Sequence, residues 1–256
     1  MDDAATKIAF VRPAVLVISA TDSSGGAGLA RDLRVLNDFG VDSYCAITAV
    51  TAQSAACVSA VHHIPAEIVR AQIAAAFETR RVSAIKIGML GTQATVRAVV
   101  DSLPTDDVST PIVLDPVLVA SSGGVLLDEE GRVAMLESLF PRVTLLTPNV
   151  PEAAALLGER VATSEGGLIE QAQRLLALGP RAVLMKGGHS VGKEAVDLLV
   201  SGDHGPQRIV SARLGATSRG TGCALASAIA AGLATGASLF AACQHAKGYV
   251  LKMLGS

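Results

Sequence analysis

Ala14-Val15-Leu16-Val17-Ile18-Ser19, followed by Thr21-Asp22-Ser23-Ser24-Gly25-Gly26-Ala27-Gly28, sets the reading of the whole chain. The first run is short and almost continuously apolar, with β-branched residues at Val15, Val17 and Ile18. Such a run suits a strand covered on both faces, as in a parallel sheet. The second is a glycine-rich loop that leads into a helix. The same alternation returns along the chain. Further strands are expected at residues 44–49, 83–87, 111–115, 143–147, 182–186 and 196–200. Helical patterns lie between them, at residues 66–77, 92–102, 165–177 and 224–233. This order predicts an α/β fold, a mostly parallel central sheet flanked by helices on both faces. No linker, repeat or change of composition marks a second domain. One domain over residues 1–256 is expected, with residues 1–13 as a flexible extension.

Composition agrees with such a sheet. Half of the 256 residues are hydrophobic, aromatics are 3% and Trp is absent, so Val, Ile, Leu and Ala must build the core. The net charge of −2 and the scattered Lys and Arg give no footprint for nucleic acid or an anionic membrane. Cys45, Cys57, Cys223 and Cys243 form no C-x-x-C pair, which fits reduced thiols and a cytoplasmic protein. The opening Met1-Asp2-Asp3 is acidic and unlike a signal peptide, and no apolar run reaches the roughly 18 residues of a membrane span.

In open parallel sheets, ligands sit beyond the carboxyl ends of the strands. Candidate residues are therefore sought there. Gly220-Thr221-Gly222-Cys223 precedes an Ala-rich helix, so its backbone N–H groups lie at the positive end of the helix dipole. Glycine lets a phosphoryl oxygen approach closely, and such a turn can hold charge that develops during phosphoryl transfer. Cys223, in the first turn, is a candidate base with a lowered pKa. The plainer alternative is a tight helix entry and a packed cysteine. Asn149 and Glu152 open another helix, as ligands of Mg²⁺ or as a capping box. Asp115, at a strand end before Pro116, is a further metal candidate or a turn residue. Lys186 ends another strand before Gly187-Gly188-His189 and suits nucleotide phosphate; His189 reads as a loop histidine.

The first glycine loop is close to a dinucleotide fingerprint, but Arg31 stands where the third glycine belongs. Closure over a small polar ligand fits better. Asp32, one turn beyond Gly28, either faces that ligand or lies on the helix surface. Gln53 offers an amide to a heterocycle edge, and Met89 an apolar face, though either residue could be ordinary loop or core.

Taken in order, these segments resemble the hydroxymethylpyrimidine/phosphomethylpyrimidine kinases of thiamin biosynthesis. The likeness runs from about Val15 to Lys252. It is carried by Ala20 to Gly28, Thr48 to Gln53, Lys86 to Leu90, Leu114 to Val117, Thr147 to Glu152, Lys186 to His189 and Gly220 to Cys223. It implies a ribokinase-like fold and two ATP-driven steps, on the pyrimidine alcohol and then on its monophosphate. It implies ATP and Mg²⁺ as cofactors and a homodimer. It also implies that Ala20, Asp32, Val50, Gln53, Met89 and Val117 line the pyrimidine pocket. Asn149 and Glu152 would then handle Mg²⁺ and phosphate, beside the candidates Asp115 and Lys186 read above, with Gly220 to Gly222 as the anion hole and Cys223 taking the proton. A pyridoxal kinase-like vitamin kinase is the alternative enzyme, and a non-catalytic pyrimidine sensor the alternative class. Two of the chain's departures from the pattern bear on the site. Thr217-Ser218-Arg219 replaces Asn-Thr-His, which puts a fixed positive charge beside the anion hole and suits a substrate already carrying phosphate. Ala20 replaces a glycine on the pocket floor.

Overall fold

A computed structural model describes residues 12–54, 56–79, 81–104, 109–120, 123–187, 194–214 and 219–255. Most of the expected extension lies outside them, as do Gly188, His189, Thr217 and Ser218. Among the described residues one sheet is built from β1 (Ala14–Asp22), β2 (Asp42–Gln53), β3 (Val58–His63), β4 (Val82–Ile87), β5 (Ile112–Leu114), β6 (Leu145–Leu146), β7 (Ala182–Met185), β8 (Glu194–Ser201) and β9 (Gln207–Ala212). The spatial order is β3-β2-β1-β4-β5-β6-β7-β8-β9. The strands from β2 through β1, β4, β5 and β6 to β7 pair in parallel. At the two edges β3, β8 and β9 pair antiparallel.

Strand pleating sends alternate side chains to two apolar layers. Leu16 and Ile18 face one, Val15 and Val17 the other, and all four are fully buried. Each such side chain contributes about 1.5–3 kcal/mol. The first layer is closed by α2 (Ala66–Thr79), α3 (Gln93–Ser102), α4 (Glu129–Ala134), α5 (Val150–Leu157) and α6 (Glu165–Ala177). The second is closed by α1 (Gly28–Asp38), α7 (Thr221–Ala234) and α8 (Leu239–Gly255). The three layers expected from the sequence are present.

β3 and β9 were not expected from the sequence. Both are edge strands with exposed positions and polar residues such as Ser59, His62, Arg208 and Ser211. The template of a doubly covered strand does not match them. β2 also runs on to Gln53, which is therefore the last residue of a strand.

β1 lies between β2 and β4. The chain moves outward through β2 and β3, then crosses back to β4, so the strand order reverses at β1. A crevice at the carboxyl ends of these strands follows. It holds a cleft of about 1190 Å³.

Candidate active site

The glycine turn is built from a left-handed residue and a buried helix. Gly220 caps α7 with φ +75°. A Cβ there would run into Gly26 O and come within 3.0 Å of Ala27 Cα. Ala224 to Ala231 are all buried, so the head of α7 is fixed by its packing. The Ala224 N–H donates to Gly220 O at 2.9 Å, the first bond of the helix ladder. The amides of Thr221, Gly222 and Cys223 precede it and sit at the cleft. These backbone N–H groups are the unpaired donors of a helix N-terminus.

Cys223 lines the same cleft. Its expected lowered pKa is not found. Burial pushes the thiol up to about 11, and Asp32 and Asp115 push in the same direction. Lys86 and the Gly28 backbone N–H pull it down, but not far enough. The helix dipole does not overcome desolvation. Cys223 is a neutral thiol near pH 7.

Beside Gly222, Lys186 stands between two carboxylates. Its Nζ donates to Asp115 Oδ1 at 2.8 Å and lies 3.7 Å from Glu152 Oε2. Burial opposes its charge, yet Asp115 and Glu152 outweigh burial and hold the lysine above its ordinary pKa. Glu152 is shifted upward, mainly by burial and further by Asp115, against the pull of Lys186. At the head of α5, Asn149 Oδ1 accepts from the Glu152 N–H at 2.8 Å, and Glu152 Oε2 accepts from the Asn149 N–H at 2.7 Å. The capping box is present, and it engages the Asn149 amide oxygen. Asp115 Oδ2 faces Gly222, since a Cβ added there would lie 3.4 Å away. Among the described residues no group of three or more His, Cys, Asp or Glu is placed to hold an ion. Two carboxylates suit Mg²⁺, which commonly takes one or two of them together with substrate oxygens and water.

A small apolar floor closes the other end. Ala20, Ala49, Met89, Ala120 and Leu126 pack together, with Val117 against them. Ala20, Met89, Val117 and Gln53 line the cleft. Asp32 and Val50 do not. Asp32 points from α1 into the interior and is fully buried. It accepts from Lys86 Nζ at 2.8 Å and from Ser227 Oγ at 2.8 Å, which ties α1 to β4 and α7. Val50 sits on the opposite face of β2 from the buried Ala49 and Thr51, and is 47% exposed. Asp32→Ala would leave the Lys86 ammonium buried without its partner. It is expected to destabilise the fold by about 3–5 kcal/mol, read from the midpoint of chemical denaturation.

A sequence model described as phosphomethylpyrimidine kinase matches residues 22–255. The chain belongs to that family. It is 42% identical over 236 residues to the hydroxymethylpyrimidine/phosphomethylpyrimidine kinase of Rhizobium meliloti, covering 92% of this chain and 88% of that one. The phosphomethylpyrimidine kinase of Clostridium difficile has a similar structure, with a TM-score of 0.82 at 33% identity over 94% of this chain and 99% of that one. An ADP complex of Bacillus subtilis pyridoxal kinase is also similar, with a TM-score of 0.84 at 30% identity over 93% and 90%. The fold is therefore the ribokinase-like fold shared by these vitamin kinases.

In this phosphomethylpyrimidine kinase family member, three charged residues at the cleft, Asp22, Asp197 and Lys247, were not singled out from the motifs, whereas Arg219 was. Asp22 holds the first glycine loop, and Arg219 reaches it from the head of α7. Asp197 lies on β8 and Lys247 on α8, and their side chains meet at 2.8 Å beside the cleft. Asp197 Oδ1 also accepts from the Gly187 N–H at 3.0 Å. The signal for Asp197 was a lone carboxylate in the apolar run Val196-Asp197-Leu198. No described helix is long and apolar enough to cross a membrane.

Proposed function

We infer that the chain transfers the γ-phosphoryl group of ATP to the hydroxymethyl oxygen of 4-amino-5-hydroxymethyl-2-methylpyrimidine, and then phosphorylates the monophosphate. One observation carries this reading. A single cleft brings the glycine turn of α7 and the Asp115–Lys186–Glu152 group together with an apolar floor edged by an amide, Gln53. A flat heterocycle fits the floor, and a chain of phosphates fits the charged end. The substrate hydroxyl then lies between them, where the Thr221 to Cys223 amides can bind the transferring group. Mg²⁺, when bound, would neutralise phosphate charge. Asp115 and Glu152 would hold it, with Asn149 acting through water. A cytoplasmic setting and a homodimer belong to the same reading. Steady-state assays with the alcohol and with its monophosphate test it. Measurable ATP turnover with at least one is expected, and none with either would sink it.

In this reading Cys223 takes the hydroxyl proton, but it must first lose its own. The rate should therefore climb with pH over about 7 to 10, as for a base titrating above neutrality. Cys223→Ala should abolish that climb and lower kcat by about 10²-fold, the lower end for a general base, with little change in KM. A mutant with near-normal kcat would place the proton on the phosphate instead.

The similarity to pyridoxal kinase structures favours a second substrate class for the same site. Competition between pyridoxine and the pyrimidine alcohol separates the two. The pyrimidine is expected to win.

A further inference from the structure

Arg219 stands where this chain departs from the pattern it otherwise follows, and its guanidinium already has protein partners. Nη2 donates to Asp22 Oδ2 at 3.2 Å. Nη1 donates to the Ser54 carbonyl at 2.6 Å and to Ser24 Oγ at 3.3 Å. The Arg219 side chain is 20% exposed and that of Asp22 only 2%. Asp22 in turn accepts from the Ser24 N–H, the Ser24 hydroxyl and the Ala27 N–H, at 2.9, 2.7 and 2.9 Å. Ser23 Oγ donates to Gln53 O and accepts from the Gln53 N–H, both at 2.8 Å. Three segments thus meet at one planar cation. They are the loop after β1, the end of β2 with Gln53, and the turn that begins α7.

We propose that Arg219 is a positioning residue, paired with Asp22, that fixes the end of β2 against the glycine turn and so sets the separation between Gln53 and Gly220 to Gly222. This rests on the kinase function inferred above. A guanidinium can bridge two acceptors in a fixed fork, and a lysine ammonium cannot hold both in the same geometry. Misplacing a substrate by about 1 Å costs up to about 10²-fold in rate, so the separation matters to both phosphorylation steps. The competing role is direct contact with a substrate phosphate. It would act on the monophosphate alone.

The test is steady-state kinetics of Arg219→Ala and Arg219→Lys with the alcohol and with the monophosphate, alongside amide hydrogen exchange of the same proteins. Arg219→Ala should lower kcat/KM about 10-fold, and to the same extent for both substrates. Arg219→Lys should recover part of the loss. The Ser54 and Cys57 amides, which close a turn through Ser54, should exchange about 10-fold faster in Arg219→Ala, while the amides of β1 stay protected. A loss confined to the monophosphate overturns the proposal in favour of phosphate contact. Unchanged exchange at Ser54, or unchanged kinetics for both substrates, also overturns it. If the wild-type protein turns over neither substrate, the function inferred above falls, and exchange at Ser54 still decides on the clamp.

Discussion

Gly220→Ala should give a folded protein that turns over about 10³-fold more slowly, the upper range for loss of an oxyanion-type donor. Two costs act at this position. An L-residue at φ +75° is strained by about 1–2 kcal/mol. The added methyl would also collide with Gly26 O and press on Ala27 Cα. The turn must therefore shift, and the amides of Thr221 to Cys223 shift with it. The fold beneath should survive, because Ala224 to Ala231 remain packed against the sheet. Gly222→Ala is the useful comparison. Its Cβ would meet Lys186 Nζ at 3.2 Å, the movable end of a long side chain, so a smaller loss is expected. Measuring kcat for both variants with their denaturation midpoints separates chemistry from stability. A near-normal kcat in Gly220→Ala would remove the anion-binding role of the turn.

Much of this site could be read from the sequence because chain order fixes where strands end. Asp115 and Lys186 follow β5 and β7 directly and Asn149 lies three residues past β6, and a parallel sheet brings those ends to one edge. What spacing could not supply was direction. One turn beyond Gly28 gives the height of Asp32 on α1, but not that it faces inward to Lys86 and Ser227. The motif containing Val50 places it on β2, but pleat parity turns it away from the cleft, beside Thr51 that faces inward. Environment was the second gap. Position at a helix head argues for an acidic thiol at Cys223, and burial reverses the sign. Distance along the chain was the third. Arg219 and Asp22 are 197 residues apart, and nothing local to either names the other.

The same reasoning makes Lys186 the most consequential charge in the cleft, and Lys186→Met should lower kcat/KM for ATP by about 10³-fold, as for loss of a phosphoryl clamp. Its ammonium stands between Asp115 and Glu152. Without it, two carboxylates face each other and incoming phosphates with no fixed positive charge between them. Glu152 is already raised above its ordinary pKa by burial and by Asp115, and it would lose its main opposing influence. Its folded pKa therefore rises further above the unfolded value. A group raised in this way contributes stability that is present below its unfolded pKa and lost as pH rises through the folded one. The variant should accordingly be destabilised more at about pH 8 than at about pH 5 relative to wild type, toward the roughly 3–5 kcal/mol seen when a buried pair is broken. Denaturant midpoints at the two pH values measure this, and Lys186→Arg, which keeps the charge, should recover most of the stability. Equal destabilisation at both pH values, together with an unchanged kcat/KM for ATP, would show that Lys186 neither balances the carboxylates nor meets the nucleotide.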